Sequence, residues 1–368
     1  MIDRETNDLL IRGQVLIAEL HRCVHDALQL LIPIYSRSAK TDGGVLIGPP
    51  LALFTPDFLG EEARAEQAVL FHLQRLNRYL GGLVRLAVPM EQNGVAYTNF
   101  GLDTYHPVFK SIFELMVEYQ LVRTYLREFG TAPETERRLM GRMWAYSRIN
   151  RYQVFLEEER WRKGAHCSRE IDADPHAAAK VSEAKRGAWS REERSLLDKH
   201  FDGAAKRDVR HWYPKTGADG QPIGGDRCRN AGSLAWCCCN VIPRFKEGEE
   251  KARWVDYYNV YYDRLNYWSH PATGYELNSM PEFGRAHQLC HEEGWVLLLT
   301  THDFILDAFW FLKLSEVSPD ASQTAFELYR KVQDWFDDER DHFYRFAAHA
   351  DEMLRQLAQA LANGLPPE

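Results

Sequence analysis

Positive charge is in short supply in this sequence. Its 368 residues carry 45 Lys and Arg against 53 Asp and Glu, a formal net charge of -8. No overall basic field draws such a chain onto nucleic acid, so any RNA contact must come from a local patch. Cysteine is sparse and awkwardly placed: there are seven, with no CxxC pair, and Cys237, Cys238 and Cys239 are consecutive. An odd number in that arrangement excludes an ordinary disulfide framework and fits a reducing cytoplasm, where buried thiols behave as small hydrophobes. A Walker loop, a GxSxG elbow and a Rossmann fingerprint are all missing. A clean hydrophobic span is missing too. The longest apolar run, Trp295–Leu314, holds Thr300, Thr301, His302, Asp303 and Asp307 near its middle. Each charge there would cost about 2.5–3.5 kcal/mol in hydrocarbon. That run reads instead as a central helix of a water-soluble domain, buried along nearly its whole length, with Leu298 in the core. The opening "MIDRETNDLLIRG" puts acids where a signal peptide has bases. The expectation is a cytoplasmic chain with no membrane partner.

What is present is helical patterning. Asp8–Leu31 carries apolar residues at helical spacing and should stop at Pro33. Residues 37–60 form a long irregular stretch rich in Gly and Pro. Glu61–Val88 reads as a second helix with a weak point at Gly81-Gly82, and Tyr105–Phe129 as a third. Thr131 with Glu134 has the form of a capping box opening a fourth helix, to about Lys163. Ser190 with Glu193 marks a short helix to His200. Glu249–Trp268, Phe283–Leu314 and Pro319–Ala362 follow, the last opened by the cap pair Ser318-Pro319. No strand alternation stands out. The expected fold is an all-α antiparallel helical bundle with a long C-terminal helix. Its expected parts are an N-terminal helix and loop (1–62), a helical core (63–314) with an irregular insert around 164–230, and a C-terminal helix (315–368).

The most chemical stretch is "YYDRLNYWSHP", residues 261–271. Arg264 and His270 stand five residues apart. A guanidinium can hold phosphate oxygens through a forked pair of hydrogen bonds. An imidazole can carry a proton to or from a ribose hydroxyl or a leaving oxygen near neutral pH. Spacing alone selects nothing: with 33 arginines and 14 histidines, about four Arg-x(4–6)-His matches arise by chance. Five occur, at Arg160/His166, Arg169/His176, Arg194/His200, Arg264/His270 and Arg285/His291. Context favours Arg264/His270. Pro271 disfavours helical geometry at His270, so the helix should end there. A His at a helix C-terminus is favoured in its protonated form. Trp254, Tyr258, Tyr261, Leu265 and Trp268 lie on one helix face, a pattern that more often packs a core than stacks bases.

The segment "YYDRLNYWSHPATGYEL" resembles the Tyr-x(3)-Leu-Ser-x(2)-His-like hallmark of a bacterial helical family, and "HPVFKSIFELMVEYQLV" resembles its Arg-Ser-Leu-Phe-Glu hallmark. The arrangement is similar to the HEPN superfamily of helical ribonucleases and nucleotide-binding domains, over residues 63–314. That resemblance implies an α-helical bundle, a homodimer with two Arg-x(4–6)-His motifs facing each other, and RNA cleavage without metal or cofactor. It points to a ribonuclease or toxin-type effector in antiviral defence. Arg264 and His270 take the catalytic positions, with Glu114, Asn266, Tyr261 and Lys110 in support. The chain departs from the pattern at Leu265, where a polar residue is usual, and at Lys110, where the hallmark has Arg. The alternative is a non-catalytic helical scaffold or sensor in which the same residues form a buried polar lock. In that case a buried Glu114 would take Arg264 as its partner.

Other groupings are weaker. His21/His25 and His287/His291 each place two imidazoles one helical turn apart, the latter pair near Cys290, Glu292 and Glu293. Without a third ligand such pairs hold no metal. His200, His211, Cys228 and the Cys237–Cys239 run match no familiar zinc module. "KRDVRHWYP", residues 206–214, is the best basic and aromatic cluster for phosphate or RNA, and is more simply a solvated loop.

Overall fold

The computed structural model describes residues 4–36, 64–86, 89–92, 95–98, 102–162, 191–201, 211–224, 232–269 and 282–362. Along the chain these form α1 (Arg4–Ser36), α2 (Ala65–Leu86), a two-stranded antiparallel hairpin of β1 (Pro89–Gln92) and β2 (Val95–Thr98), α3 (Leu102–Phe129) and α4 (Pro133–Arg162). Then come α5 (191–200), α6 (Gly248–Asp256), α7 (Asp263–Trp268), α8 (Glu282–Leu299), α9 (Asp307–Phe311) and α10 (Pro319–Ala362). The described residues are therefore overwhelmingly helical, and none of their helices is long and apolar enough to cross a membrane. The chain divides into two compact units. One is Met1–Ile34, His72–Tyr119 and Asp256–Glu368; the other is Tyr35–Phe71 and Gln120–Val255.

The first unit is built on seams with alternating steps of three and four residues, the spacing that keeps one face of a helix against its neighbour. In α1 the buried seam is Thr6, Leu10, Gly13, Ile17, Leu20, Val24, Ala27 and Leu31. In α10 it is Ala325, Leu328, Val332 and Trp335, and it continues into Glu339 and His342. Ion pairs flank the two seams at Glu5–Arg345 (2.7 Å), Arg12–Asp338 (2.9 Å) and Glu19–Lys331 (3.0 Å). Numbers rise by seven on α1 as they fall by seven on α10, so these two helices run in opposite directions. Such exposed pairs contribute little stability, about 0–1 kcal/mol each; the seam carries the packing. Trp335 also donates its indole N–H to the Leu9 carbonyl at 2.9 Å.

Two wide, π-helical turns lie in this unit: Tyr257–Tyr262 leads into α7, and Thr300–Leu306 joins α8 to α9. At the second, the hydroxyls of Thr300 and Thr301 donate back to the carbonyls of Val296 and Leu297. Those bonds compete with the regular ladder and loosen it. The wide turn is fixed from α3 by Tyr119, whose ring stacks on Phe304 at 4.5 Å and whose hydroxyl donates to Asp307 at 2.5 Å. α9 ends early because Lys313 adopts a left-handed conformation, φ 54°. After one further turn, Leu314–Val317, the Ser318 hydroxyl caps α10 by accepting from the Ala321 N–H.

Several sequence expectations need correction. α1 continues one turn past Pro33, where the ring removes only one hydrogen bond near a helix end. Ala132, not Thr131, precedes the first turn of α4, with Pro133 in the first helical position and Thr135 N–H on the Ala132 carbonyl. The hairpin at residues 89–98 was not expected, although Asn93-Gly94 between two short β-formers is the strongest tight-turn signal. α2 runs through Gly81-Gly82, and Gly81 belongs there: a Cβ would lie 2.9 Å from the His21 imidazole. The Trp295–Leu314 stretch is not buried throughout. Leu298 is only half-buried and Trp310 is 74 % exposed, whereas Leu297 and Leu299 are core.

In the second unit, Ala145 and Ile149 of α4 pack on Leu196, Leu197 and Phe201. Arg142 lies over the Phe201 ring and donates to the carbonyls of Trp212 and His200, tying the 211–224 loop to α4 and α5. Glu128 pins the same loop, accepting two N–H bonds from Arg244 and one from the Ala218 backbone. Trp212 and Tyr213 are core residues of this unit, so the aromatic half of "KRDVRHWYP" does not face solvent; residues 206–210 lie outside the described residues.

Leu297→Ala should lower the unfolding free energy by about 2–5 kcal/mol, as truncation of a fully buried Leu does. Trp310→Ala should change it by no more than about 0.5 kcal/mol. Urea unfolding of the two variants checks the assignment, and the reverse order would show that the core has been misplaced.

Candidate functional site

Arg264 lies on α7, immediately after a wide turn that sets which side chains α7 shows to each neighbour. Buried residues run Tyr257, Tyr261, Leu265, steps of four in which Tyr257 takes the core place expected of Tyr258. Tyr258 instead stacks on Tyr262 at 5.6 Å. The burial of Trp268 and the whole of His270 lie outside the described residues.

α7 then divides its polar side chains between two helices. Tyr262 and Asn266, one turn apart, meet α3. The Tyr262 hydroxyl donates to Glu114 Oε1 at 2.8 Å, and Lys110 Nζ donates to Asn266 Oδ1 at 2.9 Å while lying over the Tyr262 ring. Lys110 and Glu114 are themselves one turn apart on α3, so two hydrogen bonds clasp the pair of helices. Arg264 meets α8, and Tyr261 touches both helices, its ring 5.8 Å from Phe113 of α3 and 6.1 Å from Trp295 of α8. Arg264 Nη1 is 3.7 Å from Glu292 Oε1. The expected Arg264–Glu114 pair thus does not form: Glu114 takes a tyrosine and Arg264 takes a different carboxylate. Of the supporting residues named from sequence, Lys110 and Asn266 come together directly, Glu114 joins them through Tyr262, and Tyr261 goes with Arg264.

Glu292 and its neighbour Glu293 are the residues that sequence reasoning undervalued. Both are fully buried. Glu292 Oε1 also accepts from the Gln288 amide at 2.5 Å, while Oε2 has no hydrogen-bond partner. Burial pushes the Glu292 carboxyl up, and the charge of Glu339 adds to this; Arg264 and Gln288 hold it back, leaving it at about 8. Tyr261 is raised well above its ordinary value, mainly by burial and then by Glu292. His106, on α3 one turn before Lys110, is buried close enough to Arg264 to feel its charge. Burial first and Arg264 second lower it to about 4, so its imidazole is neutral at pH 7. Glu293 has neither oxygen hydrogen-bonded, and burial alone holds its carboxyl far above the usual range. It packs against the backbone of Gly13 on α1 and raises the Tyr105 hydroxyl, after the larger effect of burial.

The polar end of the α1–α10 seam continues this cluster. The Thr6 hydroxyl lies between His287 Nε2 (3.2 Å) and His342 Nε2 (2.9 Å), whose rings stack at 4.8 Å. His291 turns elsewhere. Trp295 donates its indole N–H to His291 Nε2 at 3.0 Å, which leaves the ring proton on Nδ1, 3.6 Å from the buried Glu339. The two imidazoles of the His287/His291 pair therefore serve separate partners. Among the described residues no three His, Cys, Asp or Glu side chains converge as metal ligands. The His200 ring packs on Gly141, His211 Nδ1 accepts from the Tyr213 backbone, and Cys237 and Cys238 are buried; Cys228 lies outside the described residues.

Chemically, the arrangement offers one guanidinium 31 % exposed at its side chain, anchored behind by an acid with no exposure. The signal for that acid was present in the sequence: two glutamates inside "HEEGWVLLL", where a core helix should be apolar. Comparison of the chain with protein-family models, curated proteins and solved structures finds no match.

Two outcomes are expected of this cluster. Gly13→Ala would place a Cβ 2.6 Å from Glu293 Oε2 and 2.8 Å from the Trp335 ring. Both neighbours are buried, so it should destabilise by about 1–3 kcal/mol; a wild-type melting curve would refute the close approach. The second outcome concerns pH. Glu292 and Glu293 titrate above 4.5 in the folded chain, so the folded state holds protons that the unfolded state has lost, and stability falls as pH rises. His106, lowered from 6.5 to about 4, works in the opposite direction but only below pH 6.5. Denaturant titrations should show stability declining between about pH 6.5 and 8, by up to about 1.4 kcal/mol per pH unit for each acid. A rising profile there would contradict the protonated state of both.

Proposed function

We propose that the chain is a metal-independent endoribonuclease with HEPN-like architecture, acting as a homodimer. Arg264 binds the scissile phosphate and His270 moves the proton. The observation that carries the reading is the placement of Arg264: its Nη1 lies 3.7 Å from the buried Glu292 while its side chain remains 31 % exposed. A guanidinium drawn toward a buried acid, on a side chain still partly open to solvent, is suited to take a phosphate. The two hallmark-like segments supply the rest, since they bring Arg264, Tyr262, Lys110 and Glu114 onto two helices joined by hydrogen bonds. In the reaction the ribose 2′-oxygen attacks the adjacent phosphorus as the bond to the 5′-oxygen breaks. The 2′-hydroxyl loses its proton to solvent and the imidazolium of His270 protonates the departing 5′-oxygen, leaving a 2′,3′-cyclic phosphate.

A second reading, a non-catalytic helical scaffold or sensor, is favoured by one observation. Lys110, Asn266, Glu114 and Tyr262 satisfy one another across α3 and α7. In that reading the clasp is the purpose and Arg264–Glu292 is its inner lock.

Substitution separates the two. For a ribonuclease, His270→Ala should cut RNA cleavage by about 10²–10⁴ with little change in melting temperature, and the wild-type reaction should persist in chelator. For a scaffold, the wild type cleaves no RNA and Arg264→Ala costs about 1–3 kcal/mol through the unpaired Glu292. Gel assays of RNA cleavage alongside thermal melts decide between them.

A further inference from the structure

We propose that Glu292 is the positioning residue for Arg264, and that gain or loss of its proton releases or retracts the guanidinium that meets phosphate. The geometry is that of a contest for one oxygen. Glu292 Oε1 takes the Gln288 amide at 2.5 Å and faces Arg264 Nη1 at 3.7 Å, while Oε2 makes no hydrogen bond. At 3.7 Å the guanidinium is an ion-pair partner of the carboxylate without a direct hydrogen bond. An ionised Glu292 attracts Arg264 inward. A protonated Glu292 loses that attraction, and the partly exposed guanidinium is free to turn to an anion in solvent.

The surroundings set which state prevails. Facing Glu292 are Arg264 and Tyr261 from the α6–α7 run, Glu339 from α10, and Gln288 from its own helix, with Glu293 next in sequence; His106 on α3 faces Arg264. Among the described residues, Arg264 is the only cation in that group, because His106 is held neutral by burial. Glu293 is held protonated by burial, so it adds no charge that would repel an ionised Glu292. Burial drives the Glu292 carboxyl to about 8, which puts the exchange near physiological pH. Phosphate affinity at Arg264 should accordingly weaken as the solution becomes alkaline.

The consequence for phosphate rests on the phosphate-binding reading of Arg264, so the experiment reads the contact and the ligand separately. The contact is read by NMR of the Arg264 side-chain Nε–H in the intact chain, assigned by its loss in Arg264→Lys. Its shift should titrate with a midpoint at about pH 8 in the wild type and be flat in Glu292→Gln. A flat wild-type signal, or the same titration in both proteins, overturns the proposal. If Glu292→Gln does not fold, Gln288→Leu serves. It removes an amide that favours the ionised carboxylate, so the midpoint should move upward, and an unmoved midpoint overturns the proposal. The ligand is read with a fluorescent 2′-O-methyl RNA 12-mer, which cannot be cut through its 2′-oxygen. Binding should weaken several-fold between about pH 7 and 9 in the wild type and not in Glu292→Gln. Equal weakening in both proteins overturns the retraction. No binding at any pH, with the Arg264 titration intact, overturns the ribonuclease reading and leaves the Glu292 contact standing.

Discussion

The pairing of Arg264 with Glu292 is the contact on which the chemistry of this chain depends, because neither residue is well placed without the other. A carboxylate with no exposure is costly unless it is neutral or paired. Glu292 has one amide, one guanidinium at 3.7 Å and an oxygen with nothing. Arg264 in turn is long enough to sample many rotamers in water, and it lies 3.7 Å from the buried acid.

The backbone that produces this contact is irregular. Wide π-helical turns are uncommon and recur at functional positions. One of them, Tyr257–Tyr262, directly precedes Arg264. An extra residue in the turn rotates α7 about its axis, so Tyr262 and Asn266 meet α3 while Arg264 meets α8. The regular part of the fold serves as the frame. The α1 and α10 seams keep their three-and-four spacing over several turns, and their polar members, Thr6, Glu339 and His342, gather with the histidines of α8. Buried polar groups of this kind specify a register more than they add stability.

Helix positions were legible in the sequence because helical periodicity is strong and caps are local. Ser318-Pro319 marked the start of α10, and the expected ends of α3 and α4 fell within a few residues of those observed. The hairpin at residues 89–98 was missed because four-residue strands carry too little alternation, although Asn93-Gly94 was visible. Within the site, Lys110 and Asn266, named from sequence as supporting residues, touch each other, and Glu114 reaches them through Tyr262. The partner of Arg264 was not legible. A one-residue wide turn rotates side chains by more than any propensity rule resolves, and pairing across 28 residues of sequence leaves no local trace. His106, Glu292 and Glu293 were legible only as a conflict, acids and a histidine where core residues belong, and such conflicts concentrate at functional or strained positions.

The most direct measurement is the titration of the Glu292 side-chain carboxyl carbon by NMR, in the wild type and in Arg264→Gln. A buried acid opposed by a single cation should show a midpoint at about 8, and loss of the guanidinium should move it higher still. A midpoint close to the ordinary value of 4.5, or one indifferent to Arg264, would mean that Glu292 is solvated or paired elsewhere and does not govern the position of Arg264.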